Sequence, residues 1–210
     1  QSKWVAEQLA FSAQRQGLDV RVYRPSLISP TSAGFGNAED ILVRLLSFMI
    51  QHRLGIRAYN QLSLLPADLV ADHIVAIAGL SSTPGSVFNI TTDHYYNIMD
   101  ITRLLSERYG YGFTYYDIPA FVEQMERRCT RRDPLYPLVD FLSRSSGKIA
   151  AMQQKRYDNA QYRRARALAD ARLQEPALAE TVQDLVRFMR RERLINEAEA
   201  DAGAEARCAP

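Results

Sequence analysis

Few residues of this 210-residue sequence have the types and spacing that chemistry requires. Lys3 stands in an amphipathic stretch, SKWVAEQLA, that would place its ammonium on a helix face. Taken alone, it reads as a solvated helix lysine. Pro25, Ser26, Leu27 and Ile28 follow the C-terminal end of the strand LDVRVYR. Ligands of open α/β sheets bind at such ends, and plain strand-to-loop exits occur there as well. His52, His73 and His94 have no metal-ligand spacing, and Cys129 and Cys208 lie too far apart in sequence to suggest a disulfide framework or a metal site. The histidines therefore read as structural or solvated, and no metal is expected. Asp68 and Asp72 read as cap and surface carboxylates. The last candidates are arginines. From Phe121 to Arg172 there are twelve Lys/Arg against six Asp/Glu, so this segment carries +6 within a chain of net charge +2. Such asymmetry suits an acidic partner, and it also suits solvated helix faces. The candidates in it are Arg127, Arg128, Arg131, Arg132, Arg163 and Arg164.

The elements that must position these groups can be traced along the chain. A helix is predicted over residues 2–16, with Trp4, Val5, Leu9 and Ala13 on one face and Gly17 as its stop. Trp4 is expected in a core. In the strand that follows, Val20 and Val22 alternate with Arg21, and Pro25 cannot continue a hydrogen-bonded ladder. Helix, short turn and strand make half of a βαβ unit, the building block of parallel sheets. SPTSAGFGNAED reads as a loop. Asn37 is the expected cap of the helix ILVRLLSFMIQHRL, and Gly55 its end. IRAYNQLSLLP reads as an extended stretch or hairpin, and Asp68 as the cap of LVADHIVAIAGL. GSVFNI reads as a buried strand. Asn97 starts a helix to Tyr109, YGFTYYDI is a strand, and Pro119 opens AFVEQMERR at the first helical position. After Arg131 the pattern is helical only, and residues 196–210 read as a disordered tail.

Composition is that of an ordinary soluble protein, 47% hydrophobic and 24% charged. No apolar run approaches the roughly 18 residues a membrane span needs, so no membrane association is expected. The cysteine usage fits a reducing, cytoplasmic compartment, and nothing points to nucleic acid. The sequence opens inside a helix without a capping turn, so it is expected to be a piece of a longer chain.

The series QSKW, AE and GLDVRVYRP resembles the end of the active-site helix and the next strand of extended short-chain dehydrogenase/reductases. The likeness is nearest to thioester reductases, the terminal reductase domains of nonribosomal peptide and polyketide synthases and of carboxylic acid reductases. It continues through Gly34, Asn37 and Asp40, then LLPADLVADHIVAI with Ala67 in place of the usual valine, GSVFNITT, DPLYPLVDF and KRYDN. It covers about residues 1–195. The sequence departs from the family in having no G-x-x-G-x-x-G turn for the pyrophosphate. The family's catalytic tyrosine, four residues before the lysine matched by Lys3, would lie just ahead of Gln1.

The resemblance implies an α/β fold: the C-terminal portion of an NAD(P)-binding Rossmann-type domain plus a mostly helical substrate-binding lobe. Residues 1–35 would end the Rossmann-type domain, and residues 36–195 would form mainly the lobe, with strand 86–90 returning to the sheet. It implies reduction of an acyl or peptidyl thioester by NADPH, with release as aldehyde or alcohol. Lys3 would be catalytic, lowering the pKa of the tyrosine from about 10 and bonding the nicotinamide ribose. Pro25, Ser26, Leu27 and Ile28 would line the nicotinamide, and Gly34, Asn37, Arg131 and Arg132 would belong to the substrate or carrier-protein lobe. The implied partners are an acyl or peptidyl carrier protein with its phosphopantetheine arm and upstream synthase modules in the same chain. A fragment lacking tyrosine and pyrophosphate turn is expected to be inactive by itself. The other readings are a non-catalytic docking or substrate-binding module, a fatty acyl-CoA reductase-like enzyme, and an epimerase-like member of the same superfamily. The helical stretch after Arg131 speaks against the last.

Overall fold

Val22 to Pro25 lies parallel to Val87 to Ile90, and this pairing organises the first part of the molecule. The computed structural model describes residues 2–83, 85–152, 155–171 and 175–196. In chain order the elements are α1 (Ser2–Arg15), β1 (Val22–Pro25), β2 (Leu27–Ser29), α2 (Ile41–His52), β3 (Leu54–Ile56), β4 (Leu64–Pro66), α3 (Ala67–Ala78) and β5 (Val87–Ile90). They continue with α4 (Ile98–Tyr109), β6 (Thr114–Tyr116), α5 (Ile118–Arg128), a 3₁₀ turn at Tyr136–Leu138, α6 (Val139–Ala151), α7 (Ala160–Leu168) and α8 (Leu178–Arg191). Among the described residues, no helix is long and apolar enough to cross a membrane.

Two units are built from discontinuous segments. The first comprises residues 1–28, 63–93 and 156–175; the second comprises 29–62, 94–155 and 176–210. This differs from the expected division after residue 35. Residues 63–93 and 156–175 join the first unit because α3 and α7 cover the β1–β5 pair. Val70 and Ile77 of α3 and Tyr162 and Ala165 of α7 are buried against Phe88 and Ile90, with Tyr23 packed alongside. The rings of Tyr23 and Phe88 stack at 5.5 Å. Arg21 fastens the far end of α3, donating to the carbonyls of Ile77, Ala78 and Leu80 at 2.7, 3.0 and 2.7 Å. A cation on the last carbonyls of a helix also offsets its dipole.

The second unit is a helical lobe around a short parallel pair, β3 on β6, in the register Leu54↔Thr114 to Ile56↔Tyr116. Leu46, Phe48 and Met49 of α2, Ile101 and Leu105 of α4, and Leu185, Phe188 and Met189 of α8 are buried in it. Leu62 and Tyr96 form an isolated antiparallel bridge.

Several local expectations are corrected. The stretch IRAYNQLSLLP is not a hairpin: β3 pairs with β6 and β4 with β2. Asp40, not Asn37, caps α2, its Oδ1 accepting from Leu42 N at 2.8 Å. Asn37 forms a turn with Glu39 N instead. The acid next to the apolar run wins because it meets the first free N–H groups with a full charge. Helix α3 starts after Pro66 without a side-chain cap, and Asp68 sits in its first turn with Oδ1 accepting from Leu69 N. Asn97 does cap α4, in a reciprocal box with Asp100. Asp117 caps α5, and Pro119 follows at its second position. Trp4 is 65% exposed and Leu9 67% exposed, so the apolar face of α1 has no core to join among the described residues. Of the expected tail only Asn196 is described, its carbonyl accepting from Tyr111 Oη at 3.0 Å; residues 197–210, Cys208 included, lie outside the described residues.

Gly55 does not end α2, which closes at His52 with Arg53 in the left-handed region. It lies within β3, where a Cβ would stand 2.6 Å from Tyr115 Cδ1 of the paired strand. An aromatic ring on the register partner cannot yield as a flexible side-chain tip would. Gly55→Ala should therefore cost about 1–3 kcal/mol by overpacking, measured by denaturant unfolding. Gly79→Ala, whose Cβ would make ordinary 3.5 Å contact with Ala76 O, should change stability by less than about 0.5 kcal/mol.

A second prediction concerns Asp133. Its Oδ1 lies 2.6 Å from His52 Nε2, and its Oδ2 accepts from Thr130 N at 2.7 Å and Thr130 Oγ1 at 2.8 Å. Burial alone would raise this carboxyl, but the bonds from His52 and Thr130 outweigh it and hold it below its ordinary value. A depressed carboxylate stabilises the fold above its unfolded pKa, near 4, and loses that contribution as pH falls through the folded value. Asp133→Asn should thus be less stable than the native chain at pH 7. The difference should shrink as the pH falls below about 4, read from unfolding midpoints across pH 2–7.

Candidate functional site

Lys3 lies on the exposed first turn of α1. What fixes this helix against the sheet is polar. Glu7, one helical turn after Lys3, takes both donors of the Arg24 fork: Nε to Oε1 and Nη2 to Oε2, each at 2.7 Å. The hydrogen bond from Arg24 holds the Glu7 carboxyl below its ordinary value, and the same bond raises the guanidinium. Bidentate geometry fixes direction as well as distance. Arg24 is the residue before Pro25, so this pair sets Lys3 relative to the end of β1.

The ladder does not stop at Pro25. Ser26 N donates to Ile90 O at 3.0 Å, beyond the proline that has no N–H. Pro25 and Ile28 are exposed, and Ser26 and Leu27 are partly buried. Because β1 and β5 are parallel, both strands end on one edge. Lys3 and Pro25–Ile28 all lie in the first unit, Pro25 as the last residue of β1, Ser26 at the junction and Leu27 and Ile28 within β2, so the expected loop is mostly strand.

Behind that edge, His73 and Tyr162 form a buried pair, Nδ1 to Oη at 2.6 Å. Burial pushes the Tyr162 phenol up to about 12, so it stays neutral at physiological pH. Arg166 lies 5.4 Å over its ring and pairs with Asp93 at 3.2 Å. These side chains hold α7 in place.

Gly34 and Asn37 fall in the second unit. Gly34 has φ 85°, a left-handed conformation that suits glycine. Its loop is gripped by α8: Arg187 Nη1 donates to Ser32 O at 2.9 Å, and a Cβ on Gly34 would stand 2.9 Å from Arg191 Nη1. Asn37 is exposed. Arg131 and Arg132 are exposed on the turn after α5. The Thr130–Asp133–His52 bonds brace that turn, and Arg128 Nη1 reaches His52 O at 3.5 Å. Arg127 is paired with Glu123. Arg163 and Arg164 lie on α7, in the first unit, so the basic segment is divided between the units. Cys129 follows α5 and is half-buried; burial, and then the Asp133 charge, raise its thiol to about 11.

Sequence reasoning missed Glu7, Arg24 and the His52–Asp133 pair. Glu7 carried a signal in its spacing from Lys3. The others depend on partners distant in sequence.

Residues 1–74 match an NAD-binding family model described as Male sterility protein. The chain is 29% identical over 143 residues to the L-2-aminoadipate reductase large subunit of Eremothecium gossypii, covering 66% of this chain and 10% of that protein. Among solved structures, the terminal R domain from the myxalamid PKS-NRPS biosynthetic pathway superposes with a TM-score of 0.79 at 20% identity, over 93% of this chain and 50% of that one. A thiolation-reductase di-domain from an archaeal non-ribosomal peptide synthetase gives 0.69 at 18% identity, over 91% of this chain and 40% of that one. The chain thus spans about a tenth of the length of that curated relative and half that of the myxalamid domain. The chain therefore shares its fold with these terminal reductase domains, and its residues 1–74 are similar to the NAD-binding family.

Proposed function

We propose that this chain is part of an NADPH-dependent thioester reductase that releases an acyl or peptidyl group from a carrier protein as aldehyde or alcohol. The observation that carries the reading is the Glu7–Arg24 fork. It ties the helix of Lys3 to the strand that runs into Pro25–Ile28, at the edge where α/β sheets bind their ligands.

The donor set at this edge fits the nicotinamide end of such a cofactor: an exposed ammonium for ribose hydroxyls and the partly exposed backbone at the β1–β2 junction for a carboxamide. When bound, the reduced nicotinamide supplies the hydride to the thioester carbonyl. Lys3 holds a positive charge on the face where, by family likeness, the catalytic tyrosine stands one turn earlier. That charge favours the phenolate and lowers the tyrosine pKa towards neutrality. The tyrosine gives its proton to the developing oxyanion, which is stabilised only as charge appears. The hemithioacetal then loses the carrier's thiol to leave the aldehyde. This activity belongs to a domain that also carries the tyrosine and the glycine-rich turn. In the complete reductase domain, Lys3→Ala should lower the rate of thioester reduction about 10²-fold or more. A rate within threefold of the native one, measured by NADPH oxidation, would remove Lys3 from the mechanism.

The partner reading rests on the lobe. Arg131 and Arg132 are exposed on a braced turn of the second unit, whereas Lys3 belongs to the first. Carrier proteins of these systems are acidic near the phosphopantetheine site, as family likeness implies, and complementary charge speeds encounter more than it tightens the final complex. Reversing both charges, Arg131→Glu with Arg132→Glu, should raise the KM for a carrier-bound thioester. It should leave reduction of a small free thioester nearly unchanged, and salt should weaken the native domain more than the variant. Equal loss on both substrates would assign the arginines to holding the lobe together.

A further inference from the structure

The edge formed by β1 and β5 carries a cluster of hydroxyls that the proposed chemistry leaves unused. Its hub is Ser63, the residue before β4, which is 5% exposed. Its Oγ lies 2.8 Å from Ser26 Oγ and 3.1 Å from Thr92 Oγ1, and it accepts from Thr92 N at 2.9 Å. A serine hydroxyl has one proton and two lone pairs. The Thr92 N–H uses one lone pair, and the two hydroxyl neighbours use the proton and the other. Ser63 is therefore saturated, with no capacity left for a ligand. Its partners are chosen by position: Ser26 is the first residue after β1, and Thr92 the second after β5. One side chain ties both strand exits together. Thr91, buried beside Thr92, accepts from Asn159 Nδ2 at 3.0 Å, so the start of α7 joins the same edge.

We infer that Ser63 is a positioning residue for the cofactor: it sets the Pro25–Ile28 loop at the height and angle at which its backbone meets the nicotinamide. The inference rests on the cofactor reading above. Backbone pairing holds the segment on both sides of Ser26, to β5 through Ser26 N and Ile90 O and to β4 through β2. The Ser26–Ser63–Thr92 chain adds a side-chain tie at the junction itself, joining the exits of β1 and β5 where the chain passes from one pairing to the other. Hydride transfer tolerates little misplacement, and a shift of about 1 Å can cost 10²-fold in rate.

The test uses the complete reductase domain and NADPH itself. Ser63→Ala should raise the Kd for NADPH, followed by nicotinamide fluorescence, by about tenfold and lower the rate at saturating NADPH. It should leave the KM for the thioester unchanged, a split that a general loss of folded protein would not produce. Ser63→Thr, which keeps the hydroxyl, should recover binding to within about threefold of the native domain. Ser26→Ala removes only the loop arm and leaves the Thr92 N–H satisfied, so it should weaken NADPH binding in the same direction even if Ser63→Ala fails to fold. Native affinity in Ser63→Ala or in Ser26→Ala would overturn the inference, as would equal impairment of the alanine and threonine variants at Ser63. A native domain that binds no NADPH would overturn the cofactor reading and this inference with it.

Discussion

Four residue pairs, from Val22 beside Val87 to Pro25 beside Ile90, decide where β1 and β5 end. Parallel pairing leaves both exits on one edge, and hydrogen-bonded register allows no slippage without turning every side chain over. Everything assigned to the cofactor depends on that edge. The arginine that grips α1 is the penultimate residue of β1. The serine that is tethered through its hydroxyl is the next residue after it. Buried Phe88 and Ile90 hold the register from below, packed under α3 and α7. A buried histidine–tyrosine pair completes that packing without exposing an ionisable group.

The lobe solves a different problem with a similar device. Its short β3–β6 pair is enclosed by helices, and no ligand-facing edge is needed there. Its polar bonds instead brace loops: α8 grips the glycine-containing segment before α2, and Asp133 closes the turn after α5. The division is one of rigidity. The proposed cofactor edge would need a fixed backbone, whereas the proposed partner surface would need only a fixed placement of charge.

Local signals are legible where one residue dominates, as at the start of α4, and fail where neighbours compete: the cap of α2 falls to Asp40 and not Asn37, and α3 starts without a side-chain cap. Asn97 with Asp100 makes a capping box from residues three apart, and the structure has it. The strand VFNI and the helical periodicities were equally legible. Further errors arise where the outcome depends on distant partners. IRAYNQLSLLP has the pattern of two strands, but nothing in the pattern says that each pairs elsewhere. Trp4 and Leu9 mark an apolar face on α1, and periodicity identifies a face without identifying what covers it. At the site, the family likeness pointed to Lys3 and the loop after β1. Glu7 and Arg24 fall within the pieces that carry the likeness, but their bond to each other, like the hub at Ser63, joins residues far apart in sequence and is not reported by a single sequence.

One consequence follows from the environment of Cys129. A protein proposed to handle thioesters works among activated acyl groups, which any thiolate can capture by exchange. Exchange rates follow the fraction of sulfur that is ionised. With its thiol near 11, Cys129 would be ionised to only about one part in 10⁴ at neutral pH. The carboxylate of Asp133, which closes the turn beside it, also keeps that sulfur protonated. Cys129 is therefore a poor nucleophile at neutral pH, whatever acyl group passes near it.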